Sequence, residues 1–469
     1  MKIEQIYTGC LAHGAYYIES EGEAVIIDPL RETKPYIERA AKDGATIKYI
    51  LETHFHADFV SGHIDLAEKT GATIVYGPNA EMAFEAHVAT DDEILKVGNI
   101  GIKVLHTPGH TMESSSFLLI DETGKEKALF SGDTLFIGDV GRPDLAVKTD
   151  LSREDLAAHL YDSLRNKIMT LPDDVIVYPA HGAGSACGKN MSKETFDTLG
   201  NQKATNYALR ANMTKEEFVK EVLSGLTTPP QYFPKNALMN KNGYESIDDI
   251  YERGVVPLSP EKFEAIANEM EALILDTRAP QTFKDRFIPN AINIGIDGSF
   301  APWVGALIID LKQPIILVTD ENRAEEVVTR LARVGYDNVL GYLEGGMDAW
   351  TTANKETDAI HSISAESFAQ KAQTESLTIL DVRAPNEYLS EHVLDAQNFP
   401  LNYINDQINS LDKKQTYHIH CAGGYRSMIT ASILRARGFE QLVDVAGGFE
   451  AIAQTDIPKS EFVCPSTLA

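Results

Sequence analysis

Three histidines and one carboxylate crowd into the eleven residues Thr53-His54-Phe55-His56-Ala57-Asp58-Phe59-Val60-Ser61-Gly62-His63, directly behind the apolar run Tyr49-Ile50-Leu51. Imidazole and carboxylate groups at spacings of two cannot all share one face of a regular helix. On a loop leaving the end of a buried strand they can converge on a single point, as a metal ion requires. A polar loop whose histidines are satisfied by backbone is the plainer reading, and the density of donors speaks against it. Three further clusters follow apolar runs: His106-Thr107-Pro108-Gly109-His110-Thr111, Ser131-Gly132-Asp133-Thr134-Leu135-Phe136, and Tyr178-Pro179-Ala180-His181-Gly182. Each sets a metal-capable side chain where a strand meets a loop. Four in succession argue for a site assembled at one edge of a sheet pair.

A second chemistry sits near the other end of the chain. The run Thr416-Tyr417-His418-Ile419-His420 leads straight into Cys421-Ala422-Gly423-Gly424-Tyr425-Arg426-Ser427, and Met428 to Arg437 reads as a helix. A thiol opening a glycine-containing loop at a helix N-terminus meets inward-pointing amides, which favour a thiolate and can cradle an anion. A buried structural cysteine is the alternative. Cys10 and Cys464 carry no such context, and the four cysteines are too few and irregular for a disulfide framework, so a reducing compartment fits them.

The elements that must hold these groups are legible in outline. Residues 1 to about 30 alternate as strands around a turn at Glu21-Gly22-Glu23; Pro35–Ala45 reads as a helix running into Gly44, and Ile47–Leu51 as the next strand. Ile64–Thr70 is a short helix stopped by Gly71, and strands are expected at Thr73–Tyr76, Gly101–His106, Ser115–Ile120 and Ala128–Phe130. Such intermixing suits layered sheets covered by helices. The texture changes at Thr227-Thr228-Pro229-Pro230, where a first domain (1–230) gives way to a linker (231–256). Beyond it lies a repeat: Leu273-Ile274-Leu275-Asp276-Thr277-Arg278-Ala279-Pro280 recurs as Thr378-Ile379-Leu380-Asp381-Val382-Arg383-Ala384-Pro385, the aspartates 105 residues apart. Gly345-Gly346 returns as Gly447-Gly448, and in both halves an arginine (Arg323, Arg426) precedes a glycine (Gly335, Gly438) by twelve residues. The copies, 257–356 and 360–469, are expected to be small α/β domains with mostly parallel sheets.

With 469 residues, two to four domains are expected. Forty-two basic against sixty-nine acidic residues give a formal net charge of -27, which excludes nucleic acid or an anionic membrane as a bulk partner. No apolar run approaches a membrane span, and the N-terminus lacks an apolar signal core, so a cytoplasmic location is expected.

The ordered set His-x-His-x-Asp, Gly-His, Gly-Asp and His-Gly resembles the metallo-β-lactamase superfamily, which implies an αββα sandwich with the metal at the sheet edge. The second repeat copy resembles rhodanese-type sulfurtransferases in its Leu-x-Asp-Val-Arg opening, Cys-x-x-x-x-Arg loop and closing Gly-Gly. That resemblance implies sulfane-sulfur transfer through a persulfide on Cys421, with Arg426 binding the substrate. The first copy has Val318-Thr319-Asp320-Glu321-Asn322-Arg323 instead, with no thiol and a loop two residues shorter, and is expected to serve packing or domain placement.

Thioesterase-like members of the superfamily end their first motif in Asp-His, where the histidine helps to hold a second metal; here the position is Phe59. Two imidazoles and one carboxylate are the facial set of mononuclear non-haem iron oxygenases, and persulfide dioxygenases of this superfamily use it. The whole chain resembles a persulfide dioxygenase–rhodanese fusion. The resemblance implies one Fe(II) per chain on His54, His110 and Asp133, with His56, Asp58 and His181 orienting them. It also implies a small thiol persulfide (of glutathione, coenzyme A or similar) and O2 as substrates, and sulfite or thiosulfate as products. Arg142, nine residues after Asp133 in Gly138-Asp139-Val140-Gly141-Arg142-Pro143-Asp144, is expected to attract the persulfide anion, and Cys187 to lie near the iron pocket or else to be a small buried hydrophobe. A thioester hydrolase of the glyoxalase II type and a non-catalytic persulfide sensor or sulfur-relay scaffold are the rivals. Assembly into dimers or tetramers is left open, as is the direction of the sulfur-transfer step.

Overall fold

In the strands His13–Ser20 and Glu23–Ile27 successive side chains point to opposite faces, and both faces are buried. Tyr16, Ile18, Val25 and Ile27 enter one apolar core, whereas Ala15, Tyr17, Ala24 and Ile26 enter another. A sheet with two buried faces must be covered on both sides, so the alternation itself specifies layers. In the computed structural model, which describes residues 1–145 and 151–464, the chain forms two compact units, one comprising Met1–Ile247 and Ala332–Gly335, the other the remainder.

The first unit is an αββα sandwich of two six-stranded mixed sheets. One runs Lys2–Thr8, His13–Ser20, Glu23–Ile27, Thr46–Glu52, Thr73–Tyr76, His87–Val88, antiparallel at first and parallel from Glu23–Ile27 onwards. The other runs Asp197–Thr198, Ile176–Pro179, Glu126–Gly132, Ser115–Ile120, Ile100–His106, Ile94–Val97. Val104, Phe117, Phe130, Leu51 and Val75 fill the space between them. Helices Lys34–Asp43 and His63–Thr70 cover the first sheet, and Arg153–Ser163, Leu199–Thr205 and Lys215–Leu223 the second. The expected strands Thr73–Tyr76 and Ser115–Ile120 occur as read, and the helices before Gly44 and Gly71 end there with both glycines left-handed.

Residues 231–256 are more structured than a linker: they carry helices Phe233–Asn242 and Ile247–Gly254. The buried Asn240 on the first of these reaches the histidine loop. Its Nδ2 donates to the carbonyls of His56 (2.8 Å) and Phe59 (2.7 Å), and its Oδ1 accepts the Ser61 N–H at 2.9 Å. Asn240→Ala strands three buried backbone groups, so a loss of about 2–4 kcal/mol, roughly 5–10 °C in melting temperature, is expected. Calorimetry of the purified variant checks it, and an unchanged transition would refute the clamp.

The second unit holds two five-stranded sheets of the same order, every pairing parallel. The first runs Pro257–Leu258, Val339–Leu343, Ile315–Val318, Leu273–Asp276, Ile292–Asn293; the second runs His361–Ile363, Leu442–Val445, Tyr417–His420, Thr378–Asp381, Gln397–Asn398. The repeated residues build the same brace twice. Arg278 and Arg383 each fork onto the buried Asp276 and Asp381, and Asn293 and Asn398 each donate to two carbonyls of that turn. The copies also interlock. Tyr425 donates its hydroxyl to the Gly295 carbonyl at 2.7 Å, and its ring occupies the space that a Cβ at Gly298 would need. Ser432 Oγ accepts the Asn293 N–H at 3.0 Å, and Arg435 pairs through Nε and Nη2 with Asp358, just after the first copy. Among the described residues no helix is long and apolar enough to cross a membrane.

Candidate metal centre and thiol site

The strand Thr46–Glu52 ends one residue before Thr53, and Thr53 decides how His54 is presented. Its hydroxyl donates to Asp28 Oδ2 at 2.9 Å, so the same oxygen must accept from His54 Nδ1, 3.0 Å away. The proton is thereby fixed on Nδ1, and the Nε2 lone pair of His54 is turned outward. His110 is set in the same way: its Nδ1 faces the Arg142 carbonyl at 2.8 Å, which can only accept, so Nε2 carries the lone pair. Asp133 stands between them, its Oδ2 3.4 Å from His110 Nε2 and 3.9 Å from His54 Nε2. The backbone comes very close here, because a Cβ at Gly141 would overlap the Asp133 carbonyl and crowd His110 Nδ1.

Electrostatics make this trio a poor site when bare. Burial pulls His54 well below the usual imidazole range, with His56 and His110 adding to the effect, and takes His110 down to about 4. Burial, then the neighbouring Asp58 carboxylate, pushes Asp133 well up. Neither Asp133 oxygen accepts an N–H or O–H bond, although the side chain is fully enclosed. Two neutral imidazoles with directed lone pairs and one unengaged carboxylate fit a divalent cation, whose charge would relieve each of these costs.

A second group lies beside the first. His181 Nε2 is 3.4 Å from Asp58 Oδ2 and 3.6 Å from Asp133 Oδ1, and ligand atoms of His56, Asp58 and His181 also lie within 4.8 Å of one another. His56 is drawn the other way as well: its Nε2 is 3.1 Å from Asp28 Oδ1 and 3.4 Å from Glu52 Oε2. Although burial alone would lower it, the Asp28 and Glu52 carboxylates hold His56 well above its ordinary value, while burial raises Glu52 to about 7. Phe59, fully buried, stacks on His56 with ring centroids 4.3 Å apart and tilts against His13 at the same distance.

Of the substrate-binding residues expected from the sequence, Arg142 is placed differently. Its guanidinium is committed to Asp144 (2.7 and 2.8 Å) and to the carbonyls of Ala186 and Thr227, and its own carbonyl backs His110. It is 3% exposed and braces the centre from behind, so it is not open to an anion. Cys187 does reach the pocket: its sulfur groups with Asp133 and His181, and burial, followed by the Asp58 and Asp133 carboxylates, pushes its thiol well up. Sequence reading missed Asp28, Glu52, Thr53 and Asn240. The signal for Asp28 was its place at a strand end before Pro29, where it takes a left-handed φ of 49°.

At the other site, strand Tyr417–His420 delivers Cys421 into a loop closed by helix Tyr425–Ala436. Cys421 Sγ accepts the Gly424 N–H at 3.1 Å, and the Phe449 and Glu450 amides bond the carbonyls of Cys421 and Ala422. Arg426 closes the loop in a two-pronged pair with Glu387 at 2.6 and 2.8 Å, so an arriving anion would compete with that carboxylate. In the first copy the sheet register aligns Thr319 with Cys421, since Leu317 pairs with Leu275 as Ile419 pairs with Leu380. Its loop to Arg323 is therefore one residue shorter, where counting from Asp320 gave two, and Arg323 is tied to Asp297 and Glu326.

Comparison with known proteins agrees with this architecture. Residues 8–181 match the family described as the Metallo-beta-lactamase superfamily, and residues 259–353 and 364–455 the Rhodanese-like domain. The chain is 31% identical over 209 residues to a human protein named persulfide dioxygenase ETHE1, mitochondrial, covering 44% of this chain and 73% of that one. It is equally, at 31% over 181 residues, similar to a probable hydroxyacylglutathione hydrolase of Schizosaccharomyces pombe, covering 38% of this chain and 66%, just under two thirds, of that protein. A crystal structure described as a metallo-beta-lactamase from Staphylococcus aureus subsp. aureus COL superposes with a TM-score of 0.63 at 34% identity, over 73% of this chain and 98% of that one. The chain belongs to the metallo-β-lactamase superfamily and carries two rhodanese-like domains after its sandwich domain.

Proposed function

We propose that the sandwich domain is a mononuclear iron persulfide dioxygenase and that the second rhodanese-like domain transfers sulfane sulfur through Cys421. In this reading the domains are 1–230, 257–356 and 360–469, and one Fe(II) is held by His54, His110 and Asp133. The observation that carries it is Phe59, an apolar ring lodged against His56 where a further ligand could have stood. The similarity to persulfide dioxygenase ETHE1 and the fused thiol domain support a persulfide as the shared metabolite.

When bound, iron(II) in such a facial set supplies open positions at which O2 and a sulfur anion can meet. The protein's own part is to orient and enclose. Thr53 and the Arg142 carbonyl hold the two imidazoles in the ligating tautomer. Asp133 would hold the ion as its carboxylate, and Phe59 and Phe136 pack their rings against His56 and His181. Overall, a thiol persulfide, O2 and water yield thiol, sulfite and two protons. A Cys421 persulfide and sulfite then yield thiosulfate and the free thiolate, or the reverse step charges Cys421.

Metal analysis combined with O2 uptake across a panel of small-thiol persulfides tests the reading. One iron per chain and persulfide-dependent O2 consumption are expected. The second group, His56, Asp58 and His181, favours a rival, the two-metal thioester hydrolase. Two zinc ions per chain with thioester turnover would establish it. If Phe59 is what limits the centre to one metal, Phe59→His raises the metal content from one towards two per chain, and a stoichiometry unchanged in excess metal counts against that role.

A further inference from the structure

The two rhodanese-like copies act as controls for one another, because the sheet register aligns them residue by residue. Tyr342 pairs with Pro257 and Leu317 in the first copy, as Asp444 pairs with Ser362 and Ile419 in the second. The Asp–Arg–Asn brace is kept in both and so belongs to the frame. A line of buried polar groups leading from the thiol is found in the second copy alone. Cys421 Sγ donates to Ser427 Oγ at 3.8 Å, Ser427 donates to Asp444 Oδ1 at 2.8 Å, and Ser362 donates to Asp444 Oδ2 at 2.9 Å. In the first copy the matching positions are Thr319, Ala324, Tyr342 and Pro257. Ser427 and Asp444 are both fully buried. The frame does not need a carboxylate at this strand position, since the first copy builds the same sheet with Tyr342 there, and an unused buried carboxylate is costly.

Resting on the reading of Cys421 as the sulfur-carrying thiol, we propose that Asp444, acting through Ser427, is a positioning residue that takes up the proton of Cys421 and aims its sulfur. As the S–H bond breaks, its proton passes to Ser427 Oγ while the serine's own proton passes to Asp444 Oδ1. The electron pair stays on sulfur, facing the Gly424 amide, and no oxidant or reductant is consumed. Ser427 has a second acceptor in the Gly424 carbonyl at 3.2 Å, but the shorter bond to the carboxylate is the stronger. Burial holds the Asp444 carboxyl above the usual range, against the pull of Ser427, Ser362 and Lys284, which suits a proton acceptor for a thiol. Other titratable groups near the pair include Arg426, held by Glu387, Glu450 beside Gly423, and the buried His420. The Nδ1 of His420 lies 3.4 Å from the Cys421 carbonyl, and its Nε2 faces Asp381, itself paired with Arg383.

The test uses the full-length protein and follows iodoacetamide alkylation of the Cys421 peptide by mass spectrometry between pH 5 and 10, beside sulfur transfer from a small-thiol persulfide. In Asp444→Asn the alkylation rate on the acid side of the thiol's midpoint should fall about tenfold, because no carboxylate remains to take up the proton. Transfer at neutral pH should fall about tenfold, and the deficit should close as pH rises. Ser427→Ala, which breaks the same line at its other link, should lower that rate likewise and serves if the asparagine variant fails to fold. Iron content and O2 uptake should be unchanged in both. Profiles that overlay the parent's, or a transfer deficit equal at every pH, would overturn the proposal. Unimpaired transfer by Cys421→Ser would instead overturn the underlying reading, and the alkylation profile does not depend on it.

Discussion

Replacing His54 by alanine is expected to abolish iron retention and to lower persulfide-dependent O2 uptake by at least about 100-fold, while sulfur transfer at Cys421 continues at the parent rate. The size follows from how little else holds the ion. With His54 gone, only His110 and Asp133 of the trio remain, and burial, then Asp58, raises Asp133 and so disfavours its charged, ligating form. The cavity left by the ring is no substitute, because the Thr53 hydroxyl that oriented His54 is itself held by Asp28. Sulfur transfer should survive, because His54 and Cys421 fall in different compact units. Metal analysis, an oxygen electrode and a sulfur-transfer assay on one preparation decide it. Full O2 uptake in the variant would remove His54 from the ligand set.

Cys421→Ser should behave in the opposite way: sulfite still forms from a thiol persulfide, while enzymatic thiosulfate formation falls by at least about 1,000-fold. A serine hydroxyl keeps the shape of the loop and can still accept the Gly424 N–H, but it does not ionise near neutral pH and cannot carry a sulfane sulfur. Because the change is nearly isosteric, a folding defect is not expected, and the Phe449 and Glu450 amides that close the loop bond carbonyls, not the side chain. Initial rates of both products, measured against the uncatalysed background, check the outcome. Loss of both products together would show that the two steps are not divided between the domains as proposed.

The fold was largely legible because its signals are local. Alternation over five to eight residues marked the strands, glycines after apolar periods stopped the helices before Gly44 and Gly71, and the 105-residue offset announced two like domains. The four metal-capable clusters were legible for the same reason, each lying where an apolar run ends. What escaped was the support, which is made of hydrogen bonds between residues far apart in the chain. Asn240 grips a loop about 180 residues away from a stretch that reads only as polar. Arg142 looked like an open cation next to a metal motif, yet its guanidinium bonds Asp144 and the distant carbonyls of Ala186 and Thr227. No spacing rule shows where a side chain bonds to backbone, and none shows sheet register, which moved the first copy's match for Cys421 from Asp320 to Thr319.

The seat of Tyr425 has a consequence for how the two copies can change over time. The first copy has no thiol, so its own loop is free to vary, and Asp320, Glu321 and Asn322 stand where the other carries Ala422, Gly423 and Gly424. Gly298 has no such freedom. Any side chain there would meet the Tyr425 ring, and through it the loop that carries Cys421. A domain that has given up catalysis thus stays under the constraint of its neighbour's active loop. A shortened protein lacking it would leave that tyrosine and Ser432 without the partners they have in the intact chain.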